Sequence, residues 1–210
     1  MNEPRYQRRK DDRPGELAEA ALVEFANNGY AATRVGDVAK RAGVSKGLLY
    51  LYYKTKEDLF KAVIKNIVAP RIARLQKIVE ESEQSAEDFF RGPFLEFIKT
   101  LPDSKIRVLV RLMIAEGHRH PELVQYHYEN VVNPGLNTLQ TVIRRGVANG
   151  EFRESSLEEF PQLLAAPVVM SVIWKLLFEV HHPLDTERML ETHVDQILTY
   201  LKTDTPGATG

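Results

Sequence analysis

At 210 residues, with 43% hydrophobic and 27% charged side chains, the chain can hold one medium domain or two small ones with a real core. It has no cysteine, which excludes a disulfide framework and a thiolate zinc site, and a cytoplasmic setting is expected. The net charge of −1 argues against a generic nucleic-acid binder, but residues 1–56 carry 11 Lys/Arg against 7 Asp/Glu and residues 57–210 carry 17 against 22, the distribution of a protein with one DNA-facing end.

The first 16 residues, MNEPRYQRRKDDRPGE, contain no apolar stretch and do not read as a signal peptide. Residues 1–10 are expected to form a flexible arm; Arg5, Arg8, Arg9 and Lys10, with Arg13, would reach phosphates or a minor groove. Leu17, Ala20, Ala21, Phe25 and Ala26 form one stripe, predicting a helix over 15–28 that Asn28-Gly29 ends. Val35, Val38 and Ala39 predict a short helix from about Val35 to Ala42, followed by Gly43 where a left-handed residue would close it. Val44 gives the turn an apolar plug, Ser45 caps a second short helix over Lys46 to Tyr53, and Thr55 caps a third. Two short helices joined by a tight turn, with basic and tyrosine side chains on the second, predict a helix-turn-helix that docks on DNA.

Leu59, Phe60, Val63, Ile64, Ile67 and Val68 continue the third helix until Pro70 threatens a kink, and residues 71–82 resume it. Polar residues Gln84 to Glu87 predict a loop. Helices are then expected over Phe89–Leu101, over Lys105 to about Gly117, and from Pro121 to Asn149-Gly150 with a bend at Pro134-Gly135. Leu157 to Val180 is apolar nearly all round, and Asp185 caps a last helix striped with Leu190, Val194, Ile197, Leu198 and Leu201. The longest uncharged run, Phe160 to Trp174, is 15 residues, short of the roughly 20 a membrane span needs. The fold is expected to be all-α with about nine helices, and residues 204–210 to be disordered. Val168, Val169, Val172, Ile173, Leu176 and Leu177 cannot all face one small core, so this helix and the last one predict a homodimeric four-helix interface, with Ile197 and Leu198 in it.

Gly29-Tyr30, Thr33, Val38-Ala39, Ala42-Gly43-Val44-Ser45-Lys46-Gly47, Leu49-Tyr50, Tyr52 and Lys56-Glu57-Asp58-Leu59 resemble the DNA-binding domain of the TetR family of bacterial transcriptional regulators, over about residues 11–71. The resemblance implies three N-terminal helices, a helix-turn-helix at about 34–53, and its second helix in the major groove. Three positions depart from the family pattern. Arg34 stands where a capping Ser or Thr is common, Leu48 where a Thr, Ser or Ala is common, and Tyr53 where a Phe is common. The run from Ile114 to Arg153 resembles the effector-binding and dimerisation domain of some relatives, which implies that residues 72–203 hold a ligand cavity among the middle helices and a dimer interface on the last two. By donor chemistry and resemblance, Thr33, Arg34, Ser45, Lys46, Tyr50, Tyr52 and Lys56 are expected at phosphates, which leaves Gly47, Leu48 and Leu51 for base edges and thymine methyls. Phe94, Phe97, Met113, Tyr126, Met170, Trp174 and Phe178 are candidates for an apolar effector pocket, although aromatics and Met at helical spacing also make plain core.

These readings predict a ligand-responsive, homodimeric repressor released from a near-palindromic operator by a small, mostly apolar effector, with no catalysis, cofactor or metal. Two other classes fit parts of the chain: an architectural DNA-binding protein on the same fold without an effector, and a helical enzyme without DNA function. No Ser-His-Asp order, phosphate-binding glycine loop or paired catalytic carboxylates supports the second. Among six histidines, Glu179 and His182 spell a single E-x-x-H, where a di-iron bundle needs two, and Pro183 ends the helix there; His118 and His120 precede Pro121 in a solvated turn.

Overall fold

The computed structural model describes the backbone from Arg5 to Lys202 and the side chains from Arg13 to Lys202; the tail at 204–210 and the side chains of the basic arm lie outside the described residues. Among the described residues nine helices follow one another: α1 (Arg5–Ala32), α2 (Val35–Arg41), α3 (Lys46–Tyr52), α4 (residues 56–81), α5 (86–100), α6 (Arg107–Glu116), α7 (121–148), α8 (Gln162–Leu177) and α9 (Thr186–Leu201). The backbone expected to be an arm is helical from Arg5. An isolated bridge joins Phe152 to Lys202.

Helix ends follow the local chemistry. Gly29 breaks the helical geometry of α1 at φ 76°, ψ 169°, and Gly43 closes α2 at φ 65°, conformations that a Cβ disfavours. The Ser45 hydroxyl accepts from the Leu48 amide at 3.1 Å. Thr55 and Asp58 form a reciprocal capping box, with bonds of 3.0 and 2.9 Å. The Ser85 hydroxyl accepts from the Asp88 amide at 3.0 Å, so α5 starts at Ala86 inside the segment expected to be a loop. The helix expected over 157–180 is shorter, running from Gln162 to Leu177.

At Pro70 and Pro134, where a kink or bend is expected, the structure has π-helical turns, Ile64–Val68 and Tyr128–Val132, and a third, Phe90–Phe94, surrounds Pro93. A proline cannot donate to the carbonyl four residues back, and the wider turn relieves its clash with that carbonyl. Two of these turns share a device. Asn66 and Asn130, each four residues before its proline, donate through the carboxamide to the carbonyls of Ala62 (2.8 Å) and Tyr126 (2.9 Å), which keeps a carbonyl paired where the backbone ladder changes register.

The described residues divide into two compact units, one up to Ala73 with Val108–Val132, the other Arg74–Arg107 with the residues from Asn133 on. This differs from a single break near residue 71, because α6 and the first half of α7 pack with the N-terminal helices. The Arg111 guanidinium donates to the Ala26 carbonyl, Glu116 accepts the Ala31 amide at 3.3 Å, and the His120 ring meets Tyr30 edge-on at 4.8 Å. Phe25, Tyr30 and Phe60 form the aromatic centre of this unit. The second unit is built on Phe89, Phe90, Phe94, Ile98, Val142, Ile143, Leu164, Val194 and Leu198. Ile197 and Leu198, expected at a dimer interface, are 7% and 0% exposed in this core; the stripe of α9 turns inward because α5 and α8 cover it.

His127, in the first unit, has its pKa pushed down to about 4 by burial, and its Nδ1 is buried without a hydrogen-bond partner. The native state therefore keeps a neutral imidazole while the unfolded chain protonates near pH 6.5. Between pH 6.5 and 4 the unfolded state binds more protons, so stability falls as pH drops through that window and is untouched above it. His193 is lowered in the same direction by burial, opposed by its hydrogen bond to the Leu164 carbonyl, and adds a background loss of the same sign. His127→Leu is expected to remove up to roughly 3 kcal/mol of the acid loss. Urea unfolding at pH 7 and pH 4.5 checks this; an unchanged pH difference in the variant defeats it.

Candidate nucleic-acid interface

Two helices of seven residues are too short to persist alone, so the position of α2 and α3 comes from their supports. Val38, Ala39 and Leu49 are at most 1% exposed. Glu24 of α1, 6% exposed, pairs with Arg41 at the end of α2 and accepts from the Asn28 amide at 2.7 Å. Thr33 is 3% exposed, and its hydroxyl is placed to donate to the carbonyls of Gly29 (2.7 Å) and Glu24 (3.1 Å), which secures the backbone where α1 breaks. The Tyr53 hydroxyl donates to the Pro14 carbonyl at 3.3 Å, and burial, followed by Tyr52, pushes its pKa up.

The side chains expected on DNA separate into two groups. Arg34, Ser45, Lys46, Gly47, Tyr50 and Leu51 are exposed, with Leu48 and Tyr52 half-buried beside them. Leu51 is 78% exposed, an uncovered leucine on the helix expected to enter the groove. Arg34 precedes α2 without a side-chain cap, so its guanidinium is not used locally. Thr33 and Lys56 fall in the other group. The Thr33 hydroxyl is buried and committed, and the Lys56 ammonium donates to the Ala31 carbonyl at 2.8 Å and lies 4.6 Å from the centre of the Tyr30 ring. Burial lowers the Lys56 pKa, opposed by Glu116. Burial, then Glu57 and Glu122, pushes the Tyr30 hydroxyl up to about 12. Thr33 and Lys56 therefore both hold the corner between α1 and α2, Thr33 with its hydroxyl committed and Lys56 with one of its three N–H donors.

Lys40 is a residue that the sequence reading missed. With Arg34, Gly36, Asp37, Ala39, Val44 and Lys46 it lines an open cleft of about 520 Å³. Spacing along α2 gives Lys40 only a solvated face; the packing of α3 against α2 brings it to the same cleft as Lys46.

The seven residues proposed for an effector pocket differ in their surroundings. Phe94 is core of the second unit and Phe97 packs against that core. Trp174 is half-buried, its indole donates to the His182 carbonyl at 2.7 Å, and its ring lies 5.1 Å from Phe178. Met170 and Phe178 are 50% and 43% exposed on the outer side of α8 and just beyond it. Met113 and Tyr126 belong to the first unit. Tyr126 lies under the Lys61 ammonium at 5.5 Å and lines a cleft of about 310 Å³ with Pro14, Tyr53, Lys65 and Asn66. Helical spacing placed all seven on apolar faces but could not say which faces meet.

A short helix with exposed side chains, set on a second helix across a tight turn and beside a cleft lined by Arg34, Lys40 and Lys46, is the arrangement of a helix-turn-helix DNA-binding protein. Residues 17–63 match the bacterial regulatory proteins of the tetR family, and residues 94–203 match the C-terminal domain of AefR-like transcriptional repressors. The chain belongs to the TetR family of bacterial transcriptional regulators, which bind DNA. It is 26% identical over 139 residues to the fatty acid metabolism regulator protein of Bacillus subtilis (strain 168), covering 66% of this chain and 70% of that protein. It is 28% identical over 142 residues to the HTH-type transcriptional repressor KstR2 of Mycolicibacterium smegmatis, covering 67% and 68%. Its fold is similar to that of FadR from Bacillus subtilis in complex with stearoyl-CoA, with a TM-score of 0.74 at 22% identity over 89% of this chain and 98% of that one. Among the described residues no helix is long and apolar enough to cross a membrane.

Substitutions separate the two groups of side chains. Leu51→Ala and Tyr50→Phe are expected to weaken operator binding by about 1–2 kcal/mol each and to leave the melting temperature unchanged, since both sites are exposed. Thr33→Val is expected to lower stability by about 1–2 kcal/mol through its lost buried hydrogen bonds. Fluorescence anisotropy on a selected duplex and thermal melts check both. Full DNA affinity in the Leu51 and Tyr50 variants removes them from the interface.

Proposed function

We propose that the chain is a cytoplasmic, homodimeric repressor without a catalytic step, joined through α8 and released from DNA by a largely apolar small molecule. One observation carries the dimer reading. Leu163, Met170 and Leu177 stand one above another at intervals of seven along α8 and are 53%, 50% and 67% exposed, with Val169 beside them at 46%. The opposite face, Leu164, Val168, Ser171 and Val172, is buried. A contiguous exposed apolar stripe on a helix whose other face is already covered calls for a partner, and a second copy related by two-fold symmetry supplies the same stripe.

On this reading residues 11–71 form the DNA-binding domain. Arg34, Ser45, Lys46, Gly47, Leu48, Tyr50, Leu51 and Tyr52 of each subunit meet one major groove, and the two recognition helices lie about 34–36 Å apart, or a multiple of that, on a near-palindromic operator. Readout by Leu48 and Leu51 leans on thymine methyls and DNA shape, because leucine cannot hydrogen-bond. The apolar character of the effector is supported by the aromatic and methionine side chains of the second unit and of α8, and by the fatty acid and stearoyl-CoA names of the relatives. The helix that starts at the Thr55 capping box runs on to residue 81, so a ligand that shifts α4 resets the spacing of the recognition helices. About 100-fold tighter binding to the DNA-free state, roughly 2.7 kcal/mol, suffices for release.

Met170→Glu with Leu177→Glu should give a folded monomer in sedimentation and a large loss of operator affinity. A dimer of wild-type affinity places the interface elsewhere. For the effector, a panel of apolar compounds that includes stearoyl-CoA should contain members that quench Trp174, the only tryptophan, and release DNA together. Linkage requires operator DNA to weaken ligand affinity by the same factor. Equal ligand affinity with and without operator overturns the switch.

A further inference from the structure

The first turn of α2 holds a glycine that its backbone does not require. Gly36 is not among the glycines of positive φ, which are Gly29, Gly43 and Gly150, and a glycine inside a helix lowers helix propensity. What it provides is space. A Cβ at position 36 would stand 2.5 Å from Cε of Lys46, 3.0 Å from its Nζ and 3.6 Å from its Cδ. The stem of Lys46, the first residue of α3, therefore lies across the bare backbone of α2. Its ammonium joins Arg34 and Lys40 around the cleft that these three cations line with the single carboxylate of Asp37. Like charges gathered at one exposed cleft repel each other unless an anion neutralises them, and a DNA phosphate is the anion that this face meets.

We propose that Gly36 is a positioning residue for DNA binding: its missing side chain lets Lys46 fold across α2, so that Lys46, Arg34 and Lys40 hold one backbone phosphate together. This rests on the DNA-binding reading of α2 and α3. The atoms that a new Cβ would displace are the far end of a flexible lysine, so Gly36→Ala leaves the fold intact and moves only the ammonium.

The test uses a duplex selected by the wild-type protein from a random library, and the variants Gly36→Ala, Lys46→Ala and both together. Gly36→Ala should raise or preserve the melting temperature while weakening DNA binding several-fold. It should also reduce the slope of log affinity against log salt, by at most about 0.9, the share of one phosphate, because Arg34 and Lys40 remain beside it. Lys46→Ala should do the same to affinity and slope, and the double variant should be no weaker than Lys46→Ala alone. Wild-type affinity and slope in Gly36→Ala overturn the proposal. So does a further loss when Gly36→Ala is added to Lys46→Ala, which would mean that the new Cβ meets the DNA itself. A second measurement needs no DNA. Nuclear Overhauser contacts should join the Gly36 Hα protons to the Lys46 ε-methylene in the free protein, and their absence overturns the placement. A wild type that selects no duplex would sink the regulator reading, while these contacts would still decide where Lys46 lies.

Discussion

A buried carboxylate fixes the place of the DNA-reading element. Glu24 lies on the inner side of α1 and would be strongly unfavourable there unpaired. The Arg41 guanidinium and the Asn28 amide satisfy it, and because Arg41 closes α2, the pairing ties the first helix of the motif to α1. The corner between them is secured from both sides. Thr33 satisfies carbonyls at the Gly29 break, Lys56 takes the Ala31 carbonyl, and Glu116 takes the Ala31 amide. Two seven-residue helices acquire a defined position only through such contacts, since each has too few internal bonds to repay its own nucleation.

The same corner connects the motif to the rest of its unit. Glu116 ends α6 and His120 begins the next turn, and both touch residues that lead into α2. Lys56 begins α4 and touches the same backbone. A shift of α6 or α4 therefore alters hydrogen bonds of the segment that orients α2, without any contact to DNA. The π turn at Pro70 lies in α4, which carries the Lys56 contact, and the one at Pro134 lies in α7, which follows His120. They are places where the ladder already changes register, with asparagine side chains keeping the displaced carbonyls paired.

The second unit is built differently. Its phenylalanines and aliphatic side chains fill one core that α9 faces with its whole stripe, while α8 divides its apolar residues between that core and its outer surface. A helix apolar all round thus serves folding with one side and leaves the other exposed.

The sequence by itself determined the number and type of the helices, the helix-turn-helix, its caps at Ser45 and Thr55, and the glycine breaks at 29 and 43. These rest on short-range rules: hydrophobic spacing, side chains that bond amides two or three residues away, and backbone angles that favour glycine. The start of α5 was legible in Ser85-x-x-Asp88 but was obscured by the polar residues around it. Only the tertiary structure decided that Thr33 and Lys56 hold the corner, that Lys40 shares a cleft with Lys46, that Leu198 turns inward while Met170 turns out, and that Val108–Val132 join the N-terminal unit. Periodicity says that a residue has an apolar or polar face to offer; which face another helix covers depends on packing between residues far apart in the chain, and no local spacing encodes that.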